Sequence, residues 1–213
     1  MSYFFYFNLQ FKKLSYNLKK IDRSDKMKLS TIALSALLLT SVGMASDNAT
    51  VKMEGIKYIK QLGMALKSEL KAHMKKDPSG LEALAFCTGS ADKITNEVNA
   101  KLPAYAKVRR TALKVRNDKV NAPDSTDEKV MKAYEEAIAA KTFSSKDIKV
   151  VEVGDTTRVY KPLVTKKVCL KCHGSDLSPK IQDALKSAYP NDHATGFKEG
   201  SLRGVIVAEI KKH

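Results

Sequence analysis

Between residues 49 and 76 apolar side chains return every three or four positions, as Ile56, Ile59, Leu62, Leu66 and Leu70, with lysines on the other face. That spacing predicts an amphipathic helix over residues 49–76. Asp77-Pro78 stops it and starts a second helix, with Asp77 as the cap and Pro78 at the first helical position. The second stripe runs through Leu81, Leu84, Cys87, Ala91, Ile94, Val98 and Leu102, which turns Cys87 to the interior, and Pro103 ends it. Val108 to Arg116 reads as a strand leading into an Asn-, Asp- and Pro-rich loop, Asn117 to Asp124.

Ser125 and Glu128 form a capping box for a third helix whose face is Val130, Tyr134 and Ile138. Ile148 to Val153 alternates as a strand, Gly154-Asp155 makes a tight turn and Thr157 to Val164 returns, a hairpin. Ser178-Pro179 begins a short helix that ends near Tyr189-Pro190. Leu202 to Ile210 is a last strand, apolar on both faces and therefore expected at the centre of a sheet. Helices followed by hairpin-connected strands predict an α+β fold with an antiparallel sheet.

The N-terminal region reads differently. Met27-Lys28 followed by apolar Ile32 to Thr40 and by small residues up to Ala45 has the form of a secretory signal. Its apolar stretch is shorter than the roughly 20 residues needed to span a bilayer, so stable membrane insertion is not expected. Residues 1–26 mix aromatics with lysines and carry no core pattern; either they lengthen the signal or translation begins at Met27. The division expected is 1–26 as an upstream extension, 27–45 as signal peptide and 46–213 as one exported, periplasmic domain.

Hydrophobic residues at 43% and charged residues at 29% suit a globular domain. The 38 Lys and Arg against 23 Asp and Glu leave a formal charge of +15. Those basic residues are spread along the chain with no Arg-rich tract and no interleaved aromatic platform, which argues against nucleic acid. A solvated surface, or docking on an acidic redox partner, accounts for the charge.

Three cysteines are present, Cys87, Cys169 and Cys172. Cys169-Leu170-Lys171-Cys172-His173 has the form of a c-type haem attachment site. Two thiols three positions apart add across the two vinyl groups of one porphyrin, and the adjacent histidine is held under the iron as proximal ligand. The competing zinc reading lacks a second Cys/His pair at suitable spacing. A thioredoxin-like redox pair would follow a strand in a βαβ unit, which is not visible. The cofactor expected is one covalent haem c, and the export signal agrees with it.

For the sixth ligand the residues leave several candidates: Cys87, His73, His193, Met64 and Met131. His73 reads as a surface residue and the methionines as core filler. His193 lies in a loop near the haem motif. Cys87 faces inward, and an unpaired thiol in an oxidising compartment is a liability unless something occupies it.

An ordered set of segments then resembles a known family. It comprises Phe86-Cys87, Arg110 to Asn117, Asn121 to Asp124, Tyr160 to Leu163, Cys169 to Gly174, Tyr189-Pro190, Ala194 to Phe197 and Gly200 to Gly204. Together they resemble the single-haem c-type family with a PAS-like core, found as free exported proteins and as sensor regions of bacterial kinases and chemoreceptors. The resemblance implies N-terminal helices followed by an antiparallel sheet packing on the haem. It also implies His/Cys iron, with His173 proximal, Cys87 distal and His193 the alternative. Arg110 and Arg116 become candidates for propionate contacts. With no transmitter region expected after His213, direct kinase signalling is not expected.

Two protein ligands leave no open iron position, which favours electron transfer or sensing over catalysis, and an anionic thiolate stabilises ferric iron. The reading is a low-potential exported monohaem cytochrome and not an enzyme. The alternative is a haem-based redox or diatomic-gas sensor acting through a separate partner.

Overall fold

The computed structural model describes the backbone of residues 30–212 and side chains from residue 48 onward. The chain divides after Asn48 into two units, and all side-chain contacts below lie in the second, Ala49–His213. The extension 1–26 lies outside the described residues. So do Met27 to Leu29 of the expected signal, and its remaining side chains. Among the described residues no helix is long and apolar enough to cross a membrane.

In order, the elements are α1 (Ser30–Lys76), α2 (Leu81–Gly89), α3 (Ala91–Asn99), β1 (Ala106–Thr111), the one-turn α4 (Asp118–Asn121) and α5 (Ser125–Ala139). There follow β2 (Lys149–Val153), β3 (Thr156–Val164), a 3-10 turn (Lys167–Cys169), α6 (Leu170–His173), α7 (Pro179–Ala188) and β4 (Leu202–Lys211). The four strands form one antiparallel sheet in the order β1-β4-β3-β2. The fold is α+β, and the expected hairpin and the central last strand are both present.

Alternation along β4 explains both layers. Ile206, Ala208 and Ile210 point to one face, where Tyr58, Ile59 and Leu62 of α1 cover them together with Val108 and Val159. Val205 and Val207 point to the other, under Val130, Met131 and Tyr134 of α5 and beside Tyr160. A strand buried on both faces must be apolar on both, as its sequence is. Burying each such side chain contributes about 1.5–3 kcal/mol before entropy is subtracted. The outer edge of β1 is closed by Asn99, whose side chain bonds Val108 N at 2.7 Å and Val108 O at 2.9 Å. That pairing blunts an edge that would otherwise present open ladder groups. At the other side of the sheet, β2 stops opposite Tyr160, so Pro162 lies where no strand flanks β3 on that side.

Four expectations are corrected. The single helix expected from Pro78 to Leu102 is two helices broken at Ser90, where φ is −125°. The break follows Gly89, and Gly/Ser pairs are a known source of kinks because they add little helix propensity. The helix also starts later, at Leu81. Gly80 adopts φ +93°, which an L side chain disfavours, and Asp77 caps the entry turn by accepting from Ser79 N at 2.9 Å and Glu82 N at 3.1 Å. The capping box of α5 is Asp124 with Asp127, not Ser125 with Glu128. Both types fit the pattern; the aspartate wins because its carboxylate accepts from Thr126 N and Asp127 N, each at 2.9 Å. Finally, β1 ends at Thr111, not Arg116, because its partner β4 has reached Val205 there and the chain leaves the sheet.

Asp127 does more than cap. Fully buried, it accepts from Arg109 Nη1 and Nη2 at 2.9 and 3.0 Å and from the Tyr160 hydroxyl at 2.9 Å. Asp127→Asn removes the buried charge that Arg109 and Tyr160 bond and leaves Arg109 only Glu209 as a counter-ion, so a loss of about 3–5 kcal/mol is expected in urea denaturation. Lys132→Ala, which breaks only the exposed pair with Glu128, should change stability by less than about 0.5 kcal/mol.

Two glycines of α1 give opposite expectations. A Cβ at Gly55 would lie 2.5 Å from Val159 Cγ2, inside a packed core, whereas one at Gly63 meets only Ile206 Cδ1 at an ordinary 3.5 Å. Gly63→Ala should therefore stabilise by about 0.5–1 kcal/mol through helix propensity. Gly55→Ala should destabilise, since overpacking at about 1–3 kcal/mol exceeds that gain. Thermal midpoints of the two variants moving in the same direction would contradict this packing.

Candidate functional site

After β3 the chain is held by Thr165 N donating to Ser201 O and Gly200 N donating to Thr165 O, each at 2.9 Å. It then coils through the 3-10 turn into α6, which sets Cys169 and Cys172 three positions apart, on one side of the coil. Cys172 packs at the margin of an apolar cluster formed by Leu84 of α2 with Leu177, Ile181 and Leu185. Helices α2 and α7 thus clasp the motif. Gly80, in its left-handed conformation, lets α2 begin close by: a Cβ there would sit 3.6 Å from Cys172 Sγ. All three cysteines are free thiols.

His173 is half-buried, and its Nδ1 lies 2.7 Å from Ala194 O. A carbonyl can only accept, so Nδ1 carries the proton and Nε2 keeps its lone pair. Burial, followed by the nearby Arg203 and Arg116 guanidiniums, lowers the imidazole pKa to about 2. The ring is therefore a neutral acceptor, the form in which histidine binds a metal. Phe197 packs edge-on against it with centroids 6.1 Å apart.

Cys87 of α2 is part-buried. Burial pushes its thiol pKa up, while Arg110, Arg116 and Arg203 pull it down. Cys172 is raised chiefly by burial, lowered by Arg116 and raised again by Cys87. Cys87, Cys172, His173 and the three arginines therefore occupy one electrostatic neighbourhood, although Cys87 stands 82 positions before Cys169 in the numbering of the chain.

The arginines are placed differently from one another. Arg116 is a brace: its Nε donates to Asp192 Oδ2 at 3.0 Å and its Nη2 to Cys172 O at 2.6 Å and Ala194 O at 3.3 Å. It ties the haem-type motif to the loop that holds His173. Arg110 donates to Asp92 Oδ1 at 3.2 Å, but its buried Nε has no partner. Arg203 opens β4, with Nε 3.5 Å from His173 Nε2, Nη1 donating to Lys114 O at 3.3 Å and its guanidinium 5.3 Å from the centre of the Phe197 ring. Burial, then repulsion from Arg116, lowers its pKa to about 10. The next residue, Gly204, has φ +154°, and a Cβ there would meet Thr111 O at 2.5 Å. Only glycine lets β1 approach β4 this closely beside the site.

The remaining candidates lie elsewhere. His193 is exposed, and it is its main chain that is fixed, N donating to Val115 O at 2.9 Å. His73 stacks on Phe86 with centroids 5.0 Å apart and faces Glu82 at 3.7 Å. Met131 is core and Met64 is exposed. Sequence reasoning assigned no role to Arg203, Asp192 or the Ala194 carbonyl. Arg203 did carry a signal, as the one charge within the apolar run Leu202 to Ala208. Asp192 and Ala194 carried none, since their roles are set by where the loop lands.

Among the described residues no three His, Cys, Asp or Glu side chains converge to hold a metal ion. A macrocycle that brings its own four ligands needs only axial donors. The residues fit that demand: an acceptor imidazole nitrogen, two free thiols on one short coil, a third thiol in the same electrostatic neighbourhood and a buried guanidinium nitrogen without a partner.

No curated protein matches the chain. A solved structure described as the cyanobacterial heme-protein Tll0287 matches with a TM-score of 0.57 at 20% identity, covering 79% of this chain and 96% of the other. At that identity the likeness shows the fold. The family model described as Tll0287-like matches residues 34–210. With that match spanning most of its length, the chain belongs to the Tll0287-like family.

Proposed function

We propose that this chain is an exported monohaem c-type cytochrome, periplasmic and not an enzyme, that passes single electrons at low potential to or from a partner protein. Cys169 and Cys172 would each add S–H across one vinyl group of a single haem, giving two thioethers and releasing nothing. His173 would be the proximal ligand and Cys87 the distal one, within a PAS-like core. Bound iron would supply a one-electron couple. The observation that carries the reading is the His173 imidazole, whose Nδ1 is committed to Ala194 O and whose Nε2 keeps its lone pair, met only by the long 3.5 Å contact from Arg203 Nε. Membership of the Tll0287-like family, and the heme-protein name of the solved neighbour, support it.

The protein's own part is positional. Arg116 holds the Cys172 carbonyl and the His173 loop together, and Phe197 limits ring rotation. The arginines near Cys87 favour its thiolate form against burial. A basic surface suits an acidic redox partner, and no nucleic acid is proposed.

The full-length protein, matured in a host that attaches haem c, should keep haem on the chain through denaturing electrophoresis. Cys169→Ala with Cys172→Ala should lose it entirely. Ferric absorption and EPR spectra should change in Cys87→Ala, and the wild-type midpoint should lie below those of His/Met cytochromes. Unchanged low-spin signals in Cys87→Ala would remove Cys87 from the iron. Tight carbon monoxide or nitric oxide binding to the reduced protein, with a conformational change, would instead favour the sensor reading.

A further inference from the structure

The cations around the site are not balanced by the protein. Three guanidiniums, Arg110, Arg116 and Arg203, face two carboxylates, Asp92 and Asp192. Asp192 is taken by Arg116 at 3.0 Å and Asp92 binds one nitrogen of Arg110 at 3.2 Å. Among the described residues no carboxylate pairs with Arg203, and the buried Nε of Arg110 has no acceptor. A part-buried guanidinium without a counter-ion is costly, and a buried donor without an acceptor costs about 1–3 kcal/mol. Both groups lie beside the sulfur and nitrogen atoms that would hold the cofactor: each bears on Cys87, and Arg203 touches the ring nitrogen of His173 at 3.5 Å. On the other face of the same sheet the charges are matched, Arg109 by Asp127 and Glu209 and Arg158 by Asp124, so the buried Arg158 Nε that lacks a hydrogen bond there still has carboxylates around its guanidinium.

We propose that Arg203 and Arg110 form a carboxylate clamp that binds the two propionates of the haem, while Arg116 serves as a structural brace and takes no propionate. The inference rests on the haem reading above. Arg203 supplies the uncompensated charge and Arg110 the unpaired Nε donor. The planar fork of a guanidinium suits a carboxylate, which accepts two parallel N–H bonds. Arg116 commits its Nε to Asp192 and its Nη2 to two backbone carbonyls, and its charge is already matched by Asp192, so in this proposal the propionate role expected of it from the resemblance passes to Arg203.

The test uses the matured holoprotein, with Arg203→Gln and Arg110→Gln beside the wild type and the exposed-site control Lys180→Gln. Haem content is read from the alkaline pyridine spectrum, and propionate hydrogen bonding from the propionate bending bands in resonance Raman. Both arginine variants should retain covalent haem, because the thioethers do not depend on the clamp. A propionate band should shift to lower frequency in each and stay in place in Lys180→Gln. If Arg203→Gln fails to fold, Arg203→Lys must show the shift, since it keeps the charge and loses the planar donor pair. Bands unmoved in the arginine variants, with haem retained, would overturn the clamp alone. A wild-type protein without covalent haem would overturn the underlying reading as well.

Discussion

Everything in the second unit is arranged around the need to cover β4 on both faces. A strand with Val205, Ile206, Val207, Ala208 and Ile210 all removed from water cannot sit at an edge or under a single layer. Helix α1 covers one face and α5 the other, and β1 and β3 flank it. Because the chain reaches β4 last, its sheet position forces the loops before it, including the haem-type motif and the His193–Phe197 segment, to gather at the end where β4 begins. The site is built on that end of the strand, with Arg203 its second residue.

The two faces of the sheet handle charge in different ways. Around Asp127, cations and carboxylates close on themselves, with a bidentate arginine, a tyrosine hydroxyl and a cap sharing one buried anion. Such a network is stabilising only while complete, and it fixes α5 against β1 and β3. Around His173 the corresponding network is open. Its arginines outnumber its carboxylates, its imidazole is neutral and its thiols are free. In the first network every guanidinium has a carboxylate beside it; in the second, among the described residues, Arg203 has none.

The misreadings along the chain share a cause. The hydrophobic stripe from Leu81 to Leu102 is continuous in helical period, but Gly89-Ser90 weakens the helix where α3 must turn toward β1. The stripe reports which side is buried, not that one straight axis carries it. Asp124 and Ser125 are both good caps one position apart, and which is used depends on where the helix docks. Arg110 and Arg116 looked alike as arginines at one end of a strand. The early end of β1 separates them, leaving Arg110 in the ladder and sending Arg116 across to the Cys172 carbonyl.

What the sequence determined by itself was local in chain distance: the periods of helices and strands, the hairpin at Gly154, the doubly apolar last strand and the Cys169–His173 spacing, though not which of two neighbouring caps or breaks is used. These depend on residues a few positions apart, and physics at that range is written in their order. The tertiary structure decided which distant groups meet. It placed Cys87 in the same neighbourhood as Cys172, chose Ala194 O to fix the His173 tautomer, and paired Arg116 with Asp192 while, among the described residues, no carboxylate pairs with Arg203. Those choices follow from covering one strand on two faces, and no short window of residues contains them.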